Sequence, residues 1–327
     1  MNKKSFSDIF QSYFHSKYSF DDFLNTKLIE NINFQSNKFT KFYIKDKVNQ
    51  QLTPESKKLK DYHSFLNNIL FKSMNVHQCV FSYKEDTNIY DAILLHKDNK
   101  NYLKTDLKNF FHNIDGDLIF KYLKNNIGNY PVSKDIECYL SNIINLIIYE
   151  DSLPVGFVTS PSLSNAVLFE FDNFIAHYCI ENHIIYTRYS DDLIFSADNY
   201  EILKKLQETI QQTLKNLYND KFELNVEKTQ FLNKANKLQL LGLTITPNGH
   251  ITVDKYIKEN TKQLLYFYIN NKDKFQKLLE EKYDNKLSKA YGNLNYINDV
   301  DKNFIIKLRK KYGNYIVDKF LHGDKSK

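Results

Sequence analysis

The segment from residue 184 to residue 197, IIYTRYSDDLIFSA, is the feature that most restricts how this chain can fold. Two apolar runs rich in β-branched and aromatic residues flank the acidic pair Asp191-Asp192. This pattern predicts a strand, a tight acidic turn and a second strand. Aspartate is a common turn residue, so the pair alone is weak support for a functional site. Another acidic pair, Asp21-Asp22, lacks flanking strands and is interpreted as a helix start.

A second predicted strand also ends at an aspartate. Residues 101–107, NYLKTDL, alternate in polarity, and Asp106 stands near the end of the run. If this strand lies beside the acidic turn, three carboxylates come close together and repel one another strongly. Divalent cations relieve that repulsion, and Mg²⁺ with oxygen ligands keeps open positions for substrate phosphates. The pattern favours a nucleotidyl-transfer site with two Mg²⁺ ions, for which Mn²⁺ can substitute, at Asp106, Asp191 and Asp192.

Periodicity elsewhere in the chain predicts helices and short strands in irregular order. Helices are predicted for residues 55–71, from Ser160 through Tyr178, for residues 202–217, and for most of the chain after about Tyr256. Two short strands, residues 238–245 and 249–253, are predicted around the turn 246–249. Strands and helices do not alternate regularly, which indicates an α+β fold rather than a doubly wound parallel sheet.

The positive charge is concentrated at the end of the chain. The whole sequence has a formal net charge of +6, whereas residues 251–327 contain 17 Lys/Arg and 10 Asp/Glu, a net charge of +7. Such a stretch is either a solvated lysine-rich face or a surface that binds a polyanion. The charge alone leaves both interpretations open.

Apolar runs are short throughout the sequence. The longest of them, such as IINLIIY at residues 143–149, fall well below the ~18–20 residues that cross a bilayer. The N-terminal residues MNKKSFSDIF contain no apolar signal core. We therefore expect a cytoplasmic protein without membrane contact.

The YSDD sequence and four further motifs together resemble the bacterial reverse transcriptases of the retron type and the closely related phage-defence enzymes. In chain order the other motifs are TDLKNFF at 105–111, LPVGFVTSPSLSN at 153–165, LNVEKT at 224–229 and LLGLTI at 240–245. Farther along, GNLNYI at 292–297 and LRKKYG at 308–313 resemble the thumb of this family, and LTPESKKLK at 52–60 extends the likeness upstream. Each motif is weak alone, but their common order and spacing are specific.

This resemblance implies a right-hand polymerase fold, with an antiparallel palm sheet packed on helices and a basic helical thumb. Residues 1–98 and 118–150 correspond to the fingers, residues 99–117 and 151–253 to the palm, and residues 254–327 to the thumb. No appendage such as an RNase H, endonuclease or maturase domain is indicated.

The resemblance also implies roles for individual residues. Asp106, Asp191 and Asp192 match the catalytic metal-binding aspartates, with the Leu107 carbonyl as an extra metal ligand, and Lys228 matches a catalytic lysine that assists pyrophosphate departure. The expected nucleotide-binding residues are Phe111, Val155, Gly156, Lys45, Lys47 and Arg188, with Phe111 excluding a 2′-hydroxyl. The expected nucleic-acid-binding residues are Ser160, Asn165, Gly242, Lys258, Lys262, Lys307, Arg309, Lys310 and Lys311.

Several of these residues have a simpler alternative interpretation. Phe111 beside Phe110 is equally compatible with a core aromatic, and Lys228 is one of 45 basic residues. Arg188 is more distinctive, because it and Arg309 are the two arginines of a chain otherwise biased to lysine. We therefore expect that a planar, permanently charged guanidinium group is needed at residue 188.

The sequence departs from the family pattern at four places. Val155 replaces the family's glutamine, which removes a hydrogen-bonding partner near the incoming nucleotide. Asn49 replaces a fingers arginine, which leaves Lys45 and Lys47 as the expected triphosphate contacts. The retron NAxxH element is reduced to Asp91-Ala92 followed by His96, and the VTG triplet to residues 240–242, LLG. These losses indicate a neighbouring branch with a different RNA or priming mode.

The sequence therefore predicts an RNA-directed DNA polymerase that makes cDNA in antiviral defence. Its expected partners are a structured RNA template, the RNA–DNA duplex, dNTPs and a defence effector protein. Two alternatives remain open at this stage. One is template-independent or protein-primed DNA synthesis by the same site, and the other is a non-catalytic RNA-binding scaffold that retains the polymerase fold.

Overall fold

A computed structural model describes residues 4–27, 57–126, 133 and 135–322, and the backbone alone of residues 42–44 and 47–49. Lys45 lies outside the described residues. The side chains of Lys47 and Asn49 are also outside them, although both residues belong to a short backbone strand. The triphosphate contacts expected of Lys45 and Lys47 therefore stay predictions.

Helices and strands alternate irregularly along the described chain, as expected for an α+β protein. The helices are α1 (Phe6–Phe14), α2 (Phe20–Leu24), α3 (Lys57–Ile69), α4 (Ile89–His96), α5 (Gly116–Asn126), α6 (Leu140–Ile147), α7 (Ser160–Val167), α8 (Phe169–Glu181), α9 (Tyr200–Tyr218), α10 (Lys255–Asn270), α11 (Lys272–Tyr283), α12 (Leu287–Val300), α13 (Lys302–Tyr312) and α14 (Asn314–His322). The strands are β1 (Phe42–Ile44), β2 (Lys47–Asn49), β3 (Asn101–Asp106), β4 (Ile185–Tyr189), β5 (Asp192–Ala197), β6 (Gln230–Asn233), β7 (Leu238–Leu240), β8 (Leu243–Ile245) and β9 (Ile251–Val253).

Two compact units make up the chain. The first comprises Met1–Thr87, Leu103–Phe195 and Glu201–Gln230, and the second comprises Asn88–Tyr102, Ser196–Tyr200 and Phe231–Lys327. These boundaries differ from those of fingers, palm and thumb given above, and that three-part division stays a prediction.

An aromatic cluster forms part of the core of the first unit. Helix α1 begins at a capping box in which Ser5 and Asp8 bond each other's backbone amides, and this fixes where the helix begins. Phe6 and Phe10 on α1 are fully buried and contact Phe65 on α3, with ring centroids 5.7 and 5.3 Å apart. The Phe10–Phe65 pair is edge-to-face, with an interplanar angle of 82°, and such pairs are favourable beyond the area that they bury. Part of the chain's high phenylalanine content is therefore structural.

A four-stranded sheet has the strand order β4-β5-β3-β6. Because β5 and β3 are neighbours, Asp192 at the start of β5 lies beside Asp106 at the end of β3. The backbone amide of Leu107 donates to the Asp191 carbonyl at 3.1 Å, which ties the two strand ends together. The predicted hairpin and the predicted strand at residues 101–107 are thus confirmed, and so is their adjacency.

The second unit contains a three-stranded antiparallel sheet and the C-terminal helices. The sequence predicts one strand over residues 238–245, but β7 and β8 form a hairpin there, with Leu240 paired to Leu243. Leu241 and Gly242 both have positive φ, 48° and 81°, as tight two-residue hairpin turns require. The prediction of a single strand is therefore wrong, because Leu241 and Gly242 form a left-handed turn that interrupts the apolar run. Helices α10 to α14 confirm the helical character expected after residue 256.

The helix predicted from Ser160 is interrupted. Helix α7 ends at Val167 and α8 begins at Phe169, with Leu168 at φ −89° and ψ 6° between them. This break rotates the buried face, and Phe174 on α8 is 54% exposed. Asp172, in contrast, is fully buried.

Helices long and apolar enough to cross a bilayer are absent from the part of the chain that the structure describes.

Candidate active site

The end of β3 and the β4–β5 turn bring together the three predicted aspartates. Asp106 is 4% exposed, and Asp191 and Asp192 are half-buried. Burial raises the pKa of Asp191, and the carboxylate of Asp106 raises it further. Burial and then the Asp191 charge raise the pKa of Asp192 to about 6. The protein therefore holds these carboxylates in an environment that disfavours their negative charge.

Lys228 supplies a positive charge to this cluster. Its Nζ donates to Asp106 Oδ2 at 2.7 Å, and this hydrogen bond is the main cause of the raised pKa of Lys228. The segment that carries Lys228 is fixed to β3, because the Asn225 amide donates to the Asp106 carbonyl at 2.8 Å and the Thr229 and Thr105 hydroxyls lie 2.7 Å apart. The lysine of the LNVEKT motif is thus placed at the carboxylates.

A cavity of about 340 Å³ opens at this point. It lies in the first unit, and its polar lining is supplied by Lys104, Thr105, Asp106, Asp192, Glu227, Lys228 and Gln230. Lys104 and Lys228 thus line the same cavity as Asp106 and Asp192, two of the predicted metal ligands. The site can hold an anionic ligand through the lysines and a cation through the carboxylates.

The carboxylates have the chemistry of a divalent-metal site. Asp106 Oδ1 is buried and has no hydrogen-bond partner, so a cation there would satisfy an otherwise costly polar atom. All of the expected ligands are hard oxygens, as Mg²⁺ prefers. Among the described residues, no three His, Cys, Asp or Glu side chains converge as a preformed metal cage. The residues fit a metal ion, and the coordination expected at Asp106, Leu107, Asp191 and Asp192 stays a prediction.

Arg188 lies behind the acidic turn and has no access to a nucleotide. Its side chain is fully buried and forms a bidentate pair with Asp172, with Nη2 to Oδ2 at 2.6 Å and Nε to Oδ1 at 2.9 Å. Nη1 donates to Asn165 Oδ1 and to the Ser190 carbonyl, both at 3.1 Å. Burial lowers the pKa of Arg188, but the Asp172 charge and hydrogen bonds raise it above its usual value. The expected contact between Arg188 and a nucleotide is therefore corrected. The planar guanidinium group is needed, but it binds the buried carboxylate of Asp172.

Asn165 and Ser160, expected to contact nucleic acid, are also inside the protein. Each is 1% exposed. Asn165 bonds Arg188 and the Ser82 carbonyl, and the Ser160 hydroxyl donates to the Pro154 carbonyl at 2.6 Å. Both side chains have their hydrogen bonds within the fold, so the expectation of direct nucleic-acid contact is corrected to a structural role.

The residues expected at the nucleotide are more accessible. Val155 is 44% exposed, Gly156 is exposed with φ 115°, and Phe111 is half-buried. The Leu153 amide donates to the Phe111 carbonyl at 3.3 Å, which joins the Phe111 segment to the loop that carries Val155. The structure therefore brings these three residues to one region, and their contact with a nucleotide stays a prediction.

The basic residues expected to contact nucleic acid differ in accessibility. Lys307, Lys310 and Lys311 are exposed on α13. Lys258, in contrast, bonds Asp301 and Thr252 and has a side chain only 17% exposed, so its predicted role as a free phosphate contact is corrected. Lys262 pairs with Glu259 and Arg309 with Asp318, both at 2.8 Å. Gly242 is exposed in the β7–β8 turn.

The reduced NAxxH element is structural in this chain. Asp91 forms a capping box with Asn88 at the start of α4. His96 is fully buried, with Nδ1 at 2.7 Å from the Ser196 hydroxyl, and burial lowers its pKa to about 3. Asp91 and His96 therefore have structural roles within the second unit, as a helix cap and as a buried hydrogen-bonding side chain.

Three important residues were missed in the sequence analysis. Asp172 carried a usable signal, because it is an acidic residue beside Phe171 on an otherwise apolar helix face. Ser82 and Lys104 carried none, since isolated serines and lysines are common in the sequence. Only the fold brings Ser82 to the acidic turn and Lys104 to the cavity.

The fold agrees with comparison to known families. Residues 37–245 match the reverse transcriptase (RNA-dependent DNA polymerase) family. The chain belongs to this family and is an RNA-directed DNA polymerase. The YSDD turn, β3 and the LNVEKT segment all lie within the matched region.

The relatives of known function place the chain near the retron enzymes. It is 28% identical to the retron Ec83 reverse transcriptase of Escherichia coli over 255 residues, covering 75% of this chain and 77% of the relative. It is 29% identical to the retron Ec73 reverse transcriptase of the same species over 268 residues, covering 79% and 81%. The resemblance to retron-type enzymes is confirmed.

A solved structure supports the same fold. Apo telomerase from Candida tropicalis superposes with a TM-score of 0.51 at 14% identity, over 81% of this chain and 52% of that chain. At this identity the likeness concerns the fold alone.

Proposed function

We propose that this polymerase copies a structured RNA into cDNA by two-metal nucleotidyl transfer, with Mg²⁺ held by Asp106, Asp191 and Asp192. The buried, unpartnered Oδ1 of Asp106 beside two carboxylates of raised pKa is the observation that carries this proposal. The Leu107 carbonyl is a further proposed ligand. Mn²⁺ is expected to substitute for Mg²⁺, because both prefer oxygen ligands.

Each side chain has a defined part in the reaction. Bound Mg²⁺ would neutralise the substrate phosphates and activate the primer hydroxyl. Asp106, Asp191 and Asp192 would hold these ions and so determine where the phosphates and the primer hydroxyl bind. Lys228, protonated at neutral pH, donates to the departing pyrophosphate. Its bond to Asp106 Oδ2 holds the ammonium beside the reacting groups before substrate binds.

The accessible loop and the neighbouring aromatic ring select the nucleotide. Phe111 closes the space that a 2′-hydroxyl would occupy and thereby favours dNTPs. The Gly156 backbone allows close approach of the nucleotide, since a residue at φ 115° is tolerated best as glycine. Val155 offers only apolar contact, so the nucleotide is held with fewer hydrogen bonds at this position.

The exposed lysines of α13 bind the phosphates of the template–product duplex. Lys307, Lys310 and Lys311 lie in residues 254–327, the proposed thumb, where the excess of positive charge is found. Contacts of this kind give affinity without sequence preference and weaken as salt is raised. Arg309 belongs to the same helix but is partly neutralised by Asp318.

A role in antiviral defence, with a structured RNA and an effector protein as partners, is also proposed. Support for it is the similarity to retron reverse transcriptases, over three quarters or more of each chain. Plating of phages on cells that express wild type or Asp191→Asn tests this role. Equal plating efficiency on both strains, with polymerase activity intact in wild type, would refute the defence role while leaving the enzymatic proposal in place.

Sequencing of extension products tests template use. The purified protein receives a DNA primer annealed to an RNA template, all four dNTPs, and either MgCl₂ or EDTA. We expect products complementary to the RNA in MgCl₂ and none in EDTA. Products unrelated to the template would indicate terminal transfer, and the absence of products with any primer would favour a non-catalytic scaffold.

A further inference from the structure

A short segment, residues 79–83, runs along the outer edge of β4. The Arg188 amide donates to the Cys79 carbonyl and the Phe81 amide donates to the Arg188 carbonyl, both at 2.9 Å. Val80 and Arg188 form a parallel β-bridge. Since β4 is the end strand of its sheet, this segment, which we name the edge segment, supplies pairing that β4 otherwise lacks.

The Ser82 side chain connects the edge segment to the acidic turn. Its Oγ accepts from the Ser190 amide at 2.8 Å and donates to Asn165 Oδ1 at 3.3 Å. Asn165 Nδ2 donates in return to the Ser82 carbonyl at 2.8 Å. All three residues are buried, so water does not compete for these bonds. The hydroxyl of Ser82 is therefore committed as both donor and acceptor.

The turn needs such support because Ser190 adopts a left-handed conformation, with φ 59°. Residues other than glycine keep this conformation only where their surroundings over-determine it. Here the Ser190 amide is held by Ser82 and the Ser190 carbonyl by Arg188 Nη1. The next carbonyl, that of Asp191, accepts from the Leu107 amide. The backbone leading into both metal-site aspartates is thus held by three independent hydrogen bonds.

Tyr83, the next residue, touches the same turn from the solvent side. Its ring is 51% exposed, and its hydroxyl lies 3.4 Å from Ser190 Oγ. Tyr83 itself has φ 58°. The edge segment therefore reaches the turn from inside the protein through Ser82 and from outside through Tyr83.

We propose that Ser82 is a positioning residue for nucleotidyl transfer, which fixes the left-handed conformation of Ser190 and so orients Asp191 and Asp192. This inference rests on the proposed function of the carboxylate site. Ser82 touches neither substrate nor metal, and its effect passes through the Ser190 amide. The edge segment is in this sense part of the active site, although it lies more than a hundred residues before the turn.

Kinetics of the Ser82→Ala variant test the proposal, with Ser164→Ala as the matched control. Ser164 is equally buried in the same unit, but its hydroxyl bonds Pro161 within its own helix. We expect kcat of Ser82→Ala to fall at least tenfold while KM for dNTP changes less than threefold, and both parameters of Ser164→Ala to stay within twofold of wild type. A kcat of Ser82→Ala within twofold of wild type would overturn the proposal.

A second substitution separates positioning from packing. Glycine adopts φ 59° without cost, so Ser190→Gly in the Ser82→Ala background should raise kcat at least threefold above that of Ser82→Ala. Ser190→Gly also removes a hydroxyl that bonds Asp191 and Tyr83, so Ser190→Gly alone is the reference. No recovery, with Ser190→Gly alone at the wild-type kcat, would assign the loss to packing and overturn the proposal. Ser82→Cys is nearly isosteric with the wild type but offers only a weak hydrogen-bond acceptor. It replaces Ser82→Ala in the kinetic test if Ser82→Ala does not fold. An unchanged kcat for Ser82→Cys would then contradict the inference.

Hydrogen exchange gives a readout that does not depend on activity. The amide of Ser190 should exchange at least tenfold faster in Ser82→Ala than in wild type, whereas Ser164→Ala should leave it unchanged. Equal exchange in wild type and Ser82→Ala would refute the hydrogen bond on which the proposal stands. An inactive wild-type protein with normal Ser190 protection would instead point to failure of the proposed function.

Discussion

Removal of the Asp172 charge should destabilise the first unit strongly. Asp172 and Arg188 are both fully buried and joined by contacts of 2.6, 2.9 and 3.1 Å, and the Tyr186 hydroxyl also donates to Asp172 at 2.8 Å. Asp172→Asn keeps the shape but leaves the guanidinium without a counter-charge and turns one acceptor into a donor. Loss of one partner of a buried pair costs about 3–5 kcal/mol, a large part of the ~5–15 kcal/mol that stabilises a typical protein.

Urea unfolding followed by circular dichroism measures this loss. At a denaturant slope of about 3 kcal/mol/M, the unfolding midpoint should fall by roughly 1–2 M. Glu170→Gln, at an exposed site in the first turn of the same helix, is the control and should change stability by less than ~0.5 kcal/mol. A loss below ~1 kcal/mol for Asp172→Asn would refute the assignment of a buried, charged pair.

An apolar replacement of the pair distinguishes stability from positioning. In Asp172→Leu with Arg188→Met, no buried charge remains, and the double variant should regain at least half of the stability lost in Asp172→Asn. In this double variant the Ser190 carbonyl has lost its donor, Arg188 Nη1, so polymerase activity should be lower than in wild type. Full activity in this stable double variant would show that Arg188 does not position the turn.

Three further predictions concern the nucleotide side and the core. Phe111→Ala should raise ribonucleotide incorporation at least tenfold relative to dNTPs in single-nucleotide extension assays; unchanged discrimination would return Phe111 to a packing role. Val155→Gln, at an exposed position, should lower KM for dNTP by restoring a hydrogen-bonding side chain, and a higher KM would contradict this. Burial lowers the pKa of His63 to about 4, so the unfolding free energy should fall by up to ~3 kcal/mol as pH drops from 6.5 to 4, because protonation favours the unfolded chain. His63→Gln should remove this contribution in urea titrations and leave that of the buried His96, while His177→Gln, at an exposed site, leaves the dependence unchanged.

Local patterns in the sequence were sufficient to predict the centre of this site. The acidic turn between two apolar runs and the strand ending at Asp106 are both local signals. Their adjacency was the condition under which the three carboxylates would form a cation site, and the strand order shows it. Lys228 was indicated by its motif, and the structure places it on Asp106. These residues lie at or beside strand ends, where sequence pattern and position in the fold correspond closely.

The support of the site could not be predicted in the same way. The rarity of arginine indicated correctly that residue 188 needs a planar guanidinium group. Its partner, Asp172, lies on α8, whose buried face is rotated from that of α7 by the break at Leu168. Ser82 meets Ser190 across more than a hundred residues. Such contacts depend on the tertiary arrangement, which no local period encodes.

The rate of a single nucleotide addition tests the central claim most directly. Wild type, Asp191→Asn and the control Asp21→Asn, which alters the exposed acidic pair at the start of α2, are compared under single-turnover conditions on an RNA template with MgCl₂. The carboxylate site predicts a loss of at least a thousandfold for Asp191→Asn and a rate within twofold of wild type for Asp21→Asn. Equal rates for wild type and a correctly folded Asp191→Asn would contradict it.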